Sequence, residues 1–455
     1  VEEVTNITNE IDLINVFGEP KEADAQYEYW MSASSYLSYG GVMKVVRADD
    51  DDLKNANAGV GIASTTTLKI KNYDDYLNNY STATDFVFAA KNPGSWANNL
   101  KVCYIDDFAD QTIGITTSDL GAAGATIGAG ITAAITGVLP GSGSTSVYTG
   151  YVKGIVTGVS TAASGTTSTV DVKIVSRVSS AGAETRIDYA EGDPFASFSS
   201  TAELVFTAPG SASGITTATA AVDWYDQQTL GLENSTVYWK SLAPKPGTSV
   251  YADDRQGHND QLHIAVVDDL GTITGIQGNI LEKFTGLSKA KDAISNVNSP
   301  ERIYYKDFIA NRAENIYAGF NPSQSEDTFH NTLPVATGFG TGFVANTTAQ
   351  GLWSQNAQST TFAGIGNVTY SLGGGTDYSS VSGKVPAPGE NGSMLATLGD
   401  LKTAYDTLSN KDEQAVDFLI MGPGCNTRDL SQSKANHLIG IAEARKDCMA
   451  TIGPH

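Results

Sequence analysis

Apolar and polar residues follow three different rhythms along this chain, and each predicts a different architecture. Near the start, NEIDLINVFG places Ile11, Ile14 and Phe17 near one helical face. Asn9 stands ready to cap that helix and Gly18 to end it. Tyr27, Trp30, Met31, Ser34 and Leu37 then recur at helical spacing until Gly40 and Gly41 stop them. The apolar run Val42 to Val46 reads as a short buried strand. The aromatic residues here predict a helix pinned to a sheet rather than a ligand box.

The far end repeats this rhythm. Leu398, Leu401, Tyr405 and Leu408 make a helical stripe, and Val416 to Met421 reads as a buried strand closed by GPG. SQSKANHLIGIAEARKD predicts a second amphipathic helix through Ala435, Leu438, Ile439 and Ala442, and CMATI another strand. Alternating helix and strand predicts a parallel sheet covered by helices, shared between the two chain ends.

The middle changes rhythm. From about Phe108 to Asp223 the chain is rich in Ala, Gly, Ser and Thr, with period-two stretches such as STVDVKIVSRV. This predicts a β-rich module with many turns. LHIAVVDDLGTITGI predicts a hairpin with its turn at Asp268 to Gly271, and ILEKFTGLSKAKDAI a largely helical segment. Phe320 to Gly375 reads as an irregular, exposed connection. The fold class is therefore α/β and α+β, multidomain. Residues 1–60 and 376–455 form an α/β core domain, 61–107 and 224–375 a mixed α/β middle domain, and 108–223 a β-rich insertion.

Composition narrows the function. A chain of 455 residues exceeds one ordinary domain. Its net charge of −22 argues against general nucleic-acid binding, which needs an excess of Lys and Arg. Cys103, Cys425 and Cys448 are too few and scattered for a disulfide framework and read as reduced, buried thiols. No apolar run approaches the roughly 20 residues that cross a bilayer, and no signal peptide is seen. The chain opens in VEEVTNITNE without Met and stops at TIGPH after a predicted strand, the pattern of a fragment.

Candidate chemistry is sparse. There is no GxxxxGK[ST] phosphate loop and no GxSxG elbow. GSGSTS at Gly141 reads as a turn, and TGFGTGF at Thr337 lacks the strand and helix a dinucleotide site needs. His258 and His263 flank Asp260, but their spacing does not put both imidazoles on one helical face, so a satisfied histidine is expected over a metal site. Cys448 has no CxxC and no partner His, so it reads as structural. Asp49, Asp50, Asp51 and Asp52 read as a solvated loop, because a calcium loop wants alternating acids with a glycine and a distal Glu. No catalytic constellation, cofactor or metal is expected.

Four stretches together resemble one family. They are ITNEIDLINVFGEP with WMSASSYLSYGGVMKVVRA; AAKNPGSWANNLKV, Ala89 to Val102; LAPKPGTSVYADDRQGHNDQLHIAVVDDLGTITG with LEKFTGLSKAKDA; and AEARKDCMATIG. Their order and spacing resemble the tail sheath proteins of contractile-tailed bacteriophages. The likeness weakens over Phe108 to Asp223, which it implies is an outward-facing insertion. It implies a structural subunit, not an enzyme, that polymerises helically around an inner tail tube. Contraction then drives the tube through the host envelope for genome ejection. Implied partners are further copies of the chain, the tube protein, and baseplate and tail terminator proteins, with neither nucleic acid nor membrane insertion. The implied location is the virion, after assembly in the host cytoplasm. Against the family's pattern, the N-terminal arm and the part of the core domain after His455 are absent. Asp49 to Asp52 become candidate inter-subunit contacts. A sheath of a bacteriocin or secretion system is one alternative and a β-rich surface adhesin another, although the adhesin should carry a signal peptide and a repeated strand unit.

Overall fold

The computed structural model describes residues 1–20, 27–59, 67–82, 85–117, 130–137, 148–162, 167–179, 183–186, 204–208, 211–215, 222–295, 298, 300–319, 353–362, 364–378, 396–425 and 427–453. They form a mixed α/β protein with five sheets and several helices.

The two chain ends pack together into a terminal body. Asn9 caps the helix Glu10–Phe17 by accepting the Asp12 N–H at 2.9 Å, and Gly18 ends it at φ +83°, a left-handed conformation that glycine adopts without strain. The second helix spans Tyr27–Leu37. Which face is buried differs from the periodicity reading. Leu13 is the buried residue of the first helix and Ile11 is 69% exposed. The reason lies in the partner: Leu13 meets Ile7 and Leu37 in one small cluster edged by Phe17, Trp30, Met43 and Val45.

The apolar run at Val42 is not a buried strand of a parallel sheet. Met43–Val46 is half-buried and pairs antiparallel with Val4–Ile7 in a two-stranded ribbon, from Val4↔Val46 to Ile7↔Met43. Met43 and Val45 face the helix cluster. Val4 and Val46 turn the other way, onto Leu408, Leu419, Met421, Leu438 and Ile441 from the far end of the chain. Each face of the ribbon thus covers a different small core, which is why both parities of the run are apolar.

At the far end Thr397 and Asp400 form a capping box for the helix Leu398–Asp406. Thr427 caps the long helix Arg428–Arg445. Phe418–Ile420 runs parallel to Met449–Thr451 across that helix, a compact strand–helix–strand unit. The long helix buries Ser431, Lys434, Leu438, Ile441 and Arg445, whereas Ile439 is 42% exposed. Arg445 is buried because its guanidinium holds the Leu408 and Gln414 carbonyls and the Asp447 carboxylate.

The central body is thicker. Its four-stranded antiparallel sheet runs in the order Asn279–Ser288, Gln261–Asp268, Lys101–Asp106, Asn367–Ser371. A three-stranded sheet, Ile316–Ala318, Phe86–Ala90, Asn57–Gly59, lies beside it with the helix Tyr305–Arg312. Val102 and Tyr104 point into one core with Leu262, Ile264, Val266, Trp353 and Tyr370. Cys103 and Ile105 point into another with Ala265, Val267, Trp224 and Trp239. A sheet covered on both faces needs strands apolar at every position.

Two expectations fail here. The segment expected to be helical is the strand Asn279–Ser288, paired with Gln261–Asp268. Register shifts in this pairing break the two-residue alternation, so Ile280, Leu281, Phe284 and Leu287 fall at helix-like spacing in an extended chain. The hairpin exists, but its loop runs from Asp269 to Gly278, longer than the expected turn. The Asp268 carboxylate organises it by accepting the Thr272, Ile273 and Thr274 N–H groups at 2.8–2.9 Å. The second failure is the connection after Phe320. Its residues 320–352 lie outside the described residues, but Trp353, Phe362, Tyr370 and Leu372 are core, each at most 2% exposed.

The β-rich middle is a single antiparallel sheet of eight strands, all between Gln111 and Asp223. Its order is Ser211–Ile215, Leu204–Ala208, Gly130–Gly137, Tyr148–Ser160, Thr167–Ser179, Gln111–Thr116, Val222–Asp223, with Glu184–Arg186 pairing on Thr167–Ser179. The alternation in STVDVKIVSRV is realised directly: Val170, Val172 and Ile174 are buried, while Asp171 and Lys173 lie on the other face.

Candidate functional site

The acidic run Asp49–Asp52 is not a uniformly solvated loop. Asp49 and Asp50 are buried, at 7% and 3% exposure, and only Asp51 and Asp52 are exposed. The run lies at the seam where the terminal body passes into the central one. Asp49 is ion-paired to Lys69 at 2.8 Å and to Lys71 at 2.9 Å, and Lys71 also reaches Glu2 at 3.0 Å. Burial pushes the Asp49 carboxyl up, but the Lys69 and Lys71 ammoniums outweigh it and hold it below its ordinary value. The Asp50 carboxylate accepts the Asp52 N–H at 2.9 Å, and its carbonyl accepts Lys69 Nζ at 2.8 Å.

The seam draws in residues far away in sequence. Tyr378 donates its hydroxyl to the Ala48 carbonyl at 2.6 Å. The Arg47 guanidinium lies over the Tyr378 ring and donates to the Pro93 carbonyl at 2.9 Å. The Thr376 hydroxyl donates to the Asp52 carbonyl, and Lys54 forms an antiparallel bridge with Thr376. The NPGSW turn completes it. Gly94 sits at φ +141°, and Ser95 gives both its N–H and its hydroxyl to the Asp377 carboxylate, at 2.9 and 2.6 Å. Fully buried Asn55 accepts the Ile70 N–H at 2.6 Å and donates to the Ala90 carbonyl at 2.9 Å.

Sequence reading singled out the acids, and the NPGSW stretch as part of the family resemblance, but missed Lys69, Lys71, Asn55, Asp377 and Tyr378. Partners about 330 residues apart, such as Ala48 and Tyr378, leave no periodic signal. The arrangement ties the two bodies together through ion pairs and hydrogen bonds to backbone groups, with Asp51 and Asp52 exposed beside it.

The histidine segment is structural in its geometry. The His263 Nε2–H donates to the Pro244 carbonyl at 2.8 Å, and Nδ1 accepts the Gly286 N–H at 2.9 Å. Nδ1 also lies 2.8 Å from the Leu262 carbonyl, and burial lowers the pKa of the ring. Asp260 is engaged by the Ser249 N–H and hydroxyl, both at 2.7 Å, and by the Ser288 hydroxyl at 2.5 Å. Among the described residues no group of three or more His, Cys, Asp or Glu side chains could hold a metal ion. The three cysteines are free thiols, Cys103 buried but Cys425 and Cys448 only half-buried. Burial pushes the Cys103 thiol up to about 12, and it donates to the Leu230 carbonyl at 3.1 Å. The glycine-rich stretches at Gly141 and Thr337 lie outside the described residues. No helix among the described residues is long and apolar enough to cross a membrane.

The fold defines a mixed α/β protein of several packed bodies. Within it, a 60-residue stretch, 13% of the chain, is 43% identical to the tail sheath protein of Enterobacteria phage T4. That stretch spans 9% of the relative's length. No family model matches the chain, and no solved structure matches it. The partial match relates one short stretch of this chain to a sheath protein.

Proposed function

We propose that the chain is a structural, non-enzymatic subunit of a contractile phage tail sheath. It polymerises helically around the inner tail tube and contracts to drive the tube through the host envelope, ejecting the genome. It assembles in the host cytoplasm and ends in the virion. Its partners are copies of itself, the tube protein, and baseplate and tail terminator proteins. The observation that carries this reading is the 43% identity over 60 residues to the T4 sheath protein.

A contractile lattice stores energy in contacts between nearly rigid subunits that can exchange one packing for another. The exposed acids Asp51 and Asp52 supply salt-sensitive contacts of the kind that rearrange readily. Asp49 and Asp50 hold the seam beneath them.

Negative-stain electron microscopy of the protein expressed from its complete reading frame, alone and with its tail tube, tests the reading. Rings or helical tubes are expected. Dispersed particles at every concentration, with or without the tube, would end it. Asp51→Asn with Asp52→Asn should then weaken the salt dependence of assembly, and an unchanged salt dependence would remove these acids from the interface.

A further inference from the structure

The eight-stranded sheet is tied to the central body at one corner. The chain enters it from Asp106 at Gln111 and leaves it from Asp223 into Trp224. The two crossings are neighbours, because Val222 pairs with Thr112 and Asp223 with Gln111. Two covalent links at one corner fix a point but not an angle. The angle has to come from side chains beside the links.

Four charged side chains meet there. Lys173, from the strand Thr167–Ser179 of the sheet, is ion-paired to Asp107 and lies 3.2 Å from Asp110. Lys245, from the central body, is ion-paired to Asp110 and lies 3.2 Å from Asp107. Asp107 and Asp110 stand on the link itself. The side chains of Lys173, Lys245, Asp107 and Asp110 are only 16%, 9%, 6% and 1% exposed. Asp110 is held from three further directions: its carboxylate accepts the Ile174 N–H at 2.7 Å, its N–H donates to Val172, and its carbonyl accepts the Trp224 N–H. Beside it Ala109 is buried against Trp224 and Trp239, and the Phe108 and Trp224 rings are 5.9 Å apart.

The cluster draws on three parts: one cation on the sheet, two anions on the link, one cation on the body. These four charges sum to zero, and the half-buried Asp223 carboxylate lies within reach of Lys245 as a further anion. Burial alone would raise the Asp107 carboxyl, but the two lysines hold it down to about 2. A change of angle would pull one lysine off the carboxylates and strand charge away from water, which is costly.

We infer that this cluster is a lock. It holds the eight-stranded sheet at one angle to the central body, so the sheet moves as a rigid arm and not as a tethered pendant. The lock does not depend on the sheath reading.

Spin labels at Ser160→Cys on the sheet and Val250→Cys on the central body test it, in a Cys425→Ser, Cys448→Ser background. Both label sites are exposed, and Cys103 is buried. Pulsed electron spin resonance should give a single narrow distance distribution. Asp107→Asn, Asp110→Asn, Lys173→Met and Lys245→Met together remove both signs of the cluster and leave only the half-buried Asp223 carboxylate near Lys245's place, and the distribution should widen at least about twofold. Lys245→Met with Asp107→Asn leaves a neutral Lys173–Asp110 pair and cuts only the tie to the body. It should widen the distribution too, and it decides the matter if the fourfold variant does not fold. A broad distribution before substitution, or an unchanged narrow one in the neutralised variants, would overturn the lock.

Discussion

In the central body the strand Lys101–Asp106 has a paired neighbour at each edge and an apolar cluster on each face. In the terminal body every described strand has one paired neighbour, and its two clusters contain three and five buried residues. The surfaces differ accordingly. The terminal body leaves Tyr39 92%, Met449 64% and Val42 63% exposed, while strand Gln261–Asp268 is buried from Leu262 to Asp268. One body is therefore stable through the depth of its core. The other depends on many shallow contacts and on the seam that joins it to its neighbour, the condition of elements that open first.

The comparison breaks most sharply at buried charge. Lys289 is fully buried, 2.8 Å from the Asp106 carboxylate and over the Trp353 ring. Asp106 also accepts the Tyr104 hydroxyl and the Ile365 and Gly366 N–H groups. Lys289→Met strands that carboxylate in the deepest part of the molecule and should cost about 3–5 kcal/mol, read by chemical denaturation. A loss below about 1 kcal/mol would mean that water reaches the central core.

Leu438→Ala should cost about 2–4 kcal/mol. The effect should stay local: hydrogen exchange of the helices Leu398–Asp406 and Arg428–Arg445 should quicken while strand Gln261–Asp268 stays protected. Equal quickening in both would show one cooperative unit and erase the distinction.

A smaller effect concerns Lys434, which joins the ends of the chain. Its Nζ meets the Tyr29 hydroxyl at 2.8 Å and the Pro423 carbonyl at 3.0 Å, with no carboxylate among these contacts. Burial lowers its pKa to about 8, slightly offset by Cys425. Between about pH 8 and the ordinary lysine range the unfolded chain keeps a proton that the folded one has lost, so this group makes stability rise with pH there. The difference between wild type and Lys434→Met cancels the other titrating groups. It should shrink in favour of wild type over that window, and a flat difference would place Lys434 in water.

The smallest effects lie in the acidic run. Asp49→Asn should cost about 1–2 kcal/mol, while Asp51→Asn and Asp52→Asn should stay within about 0.5 kcal/mol. Because the Asp49 carboxyl is held low, its contribution is present above the ordinary carboxylate range and is lost on acidification through it. Urea midpoints at neutral and acid pH measure both.

Where partners are close in sequence, the sequence by itself determined the outcome. Asn9 capping its helix, Gly18 ending it and the alternation through Val170, Val172 and Ile174 depend on backbone geometry within a few residues, and all stand as read. The mixed α/β class follows from the same local rhythms. Only the tertiary structure decided which face each element buries and which charges are spent inside the chain. Asn279–Ser288 is a strand because Gln261–Asp268 offers it an edge, and its register shifts hide the alternation. Ile11 is exposed because the cluster around Ile7 and Leu37 receives Leu13 instead. Asp49 is buried and Asp51 is not because Lys69 and Lys71 reach only the first of them. Charge on a residue is a property of the sequence, but the energy of that charge depends on which groups the fold brings near it and on whether water remains.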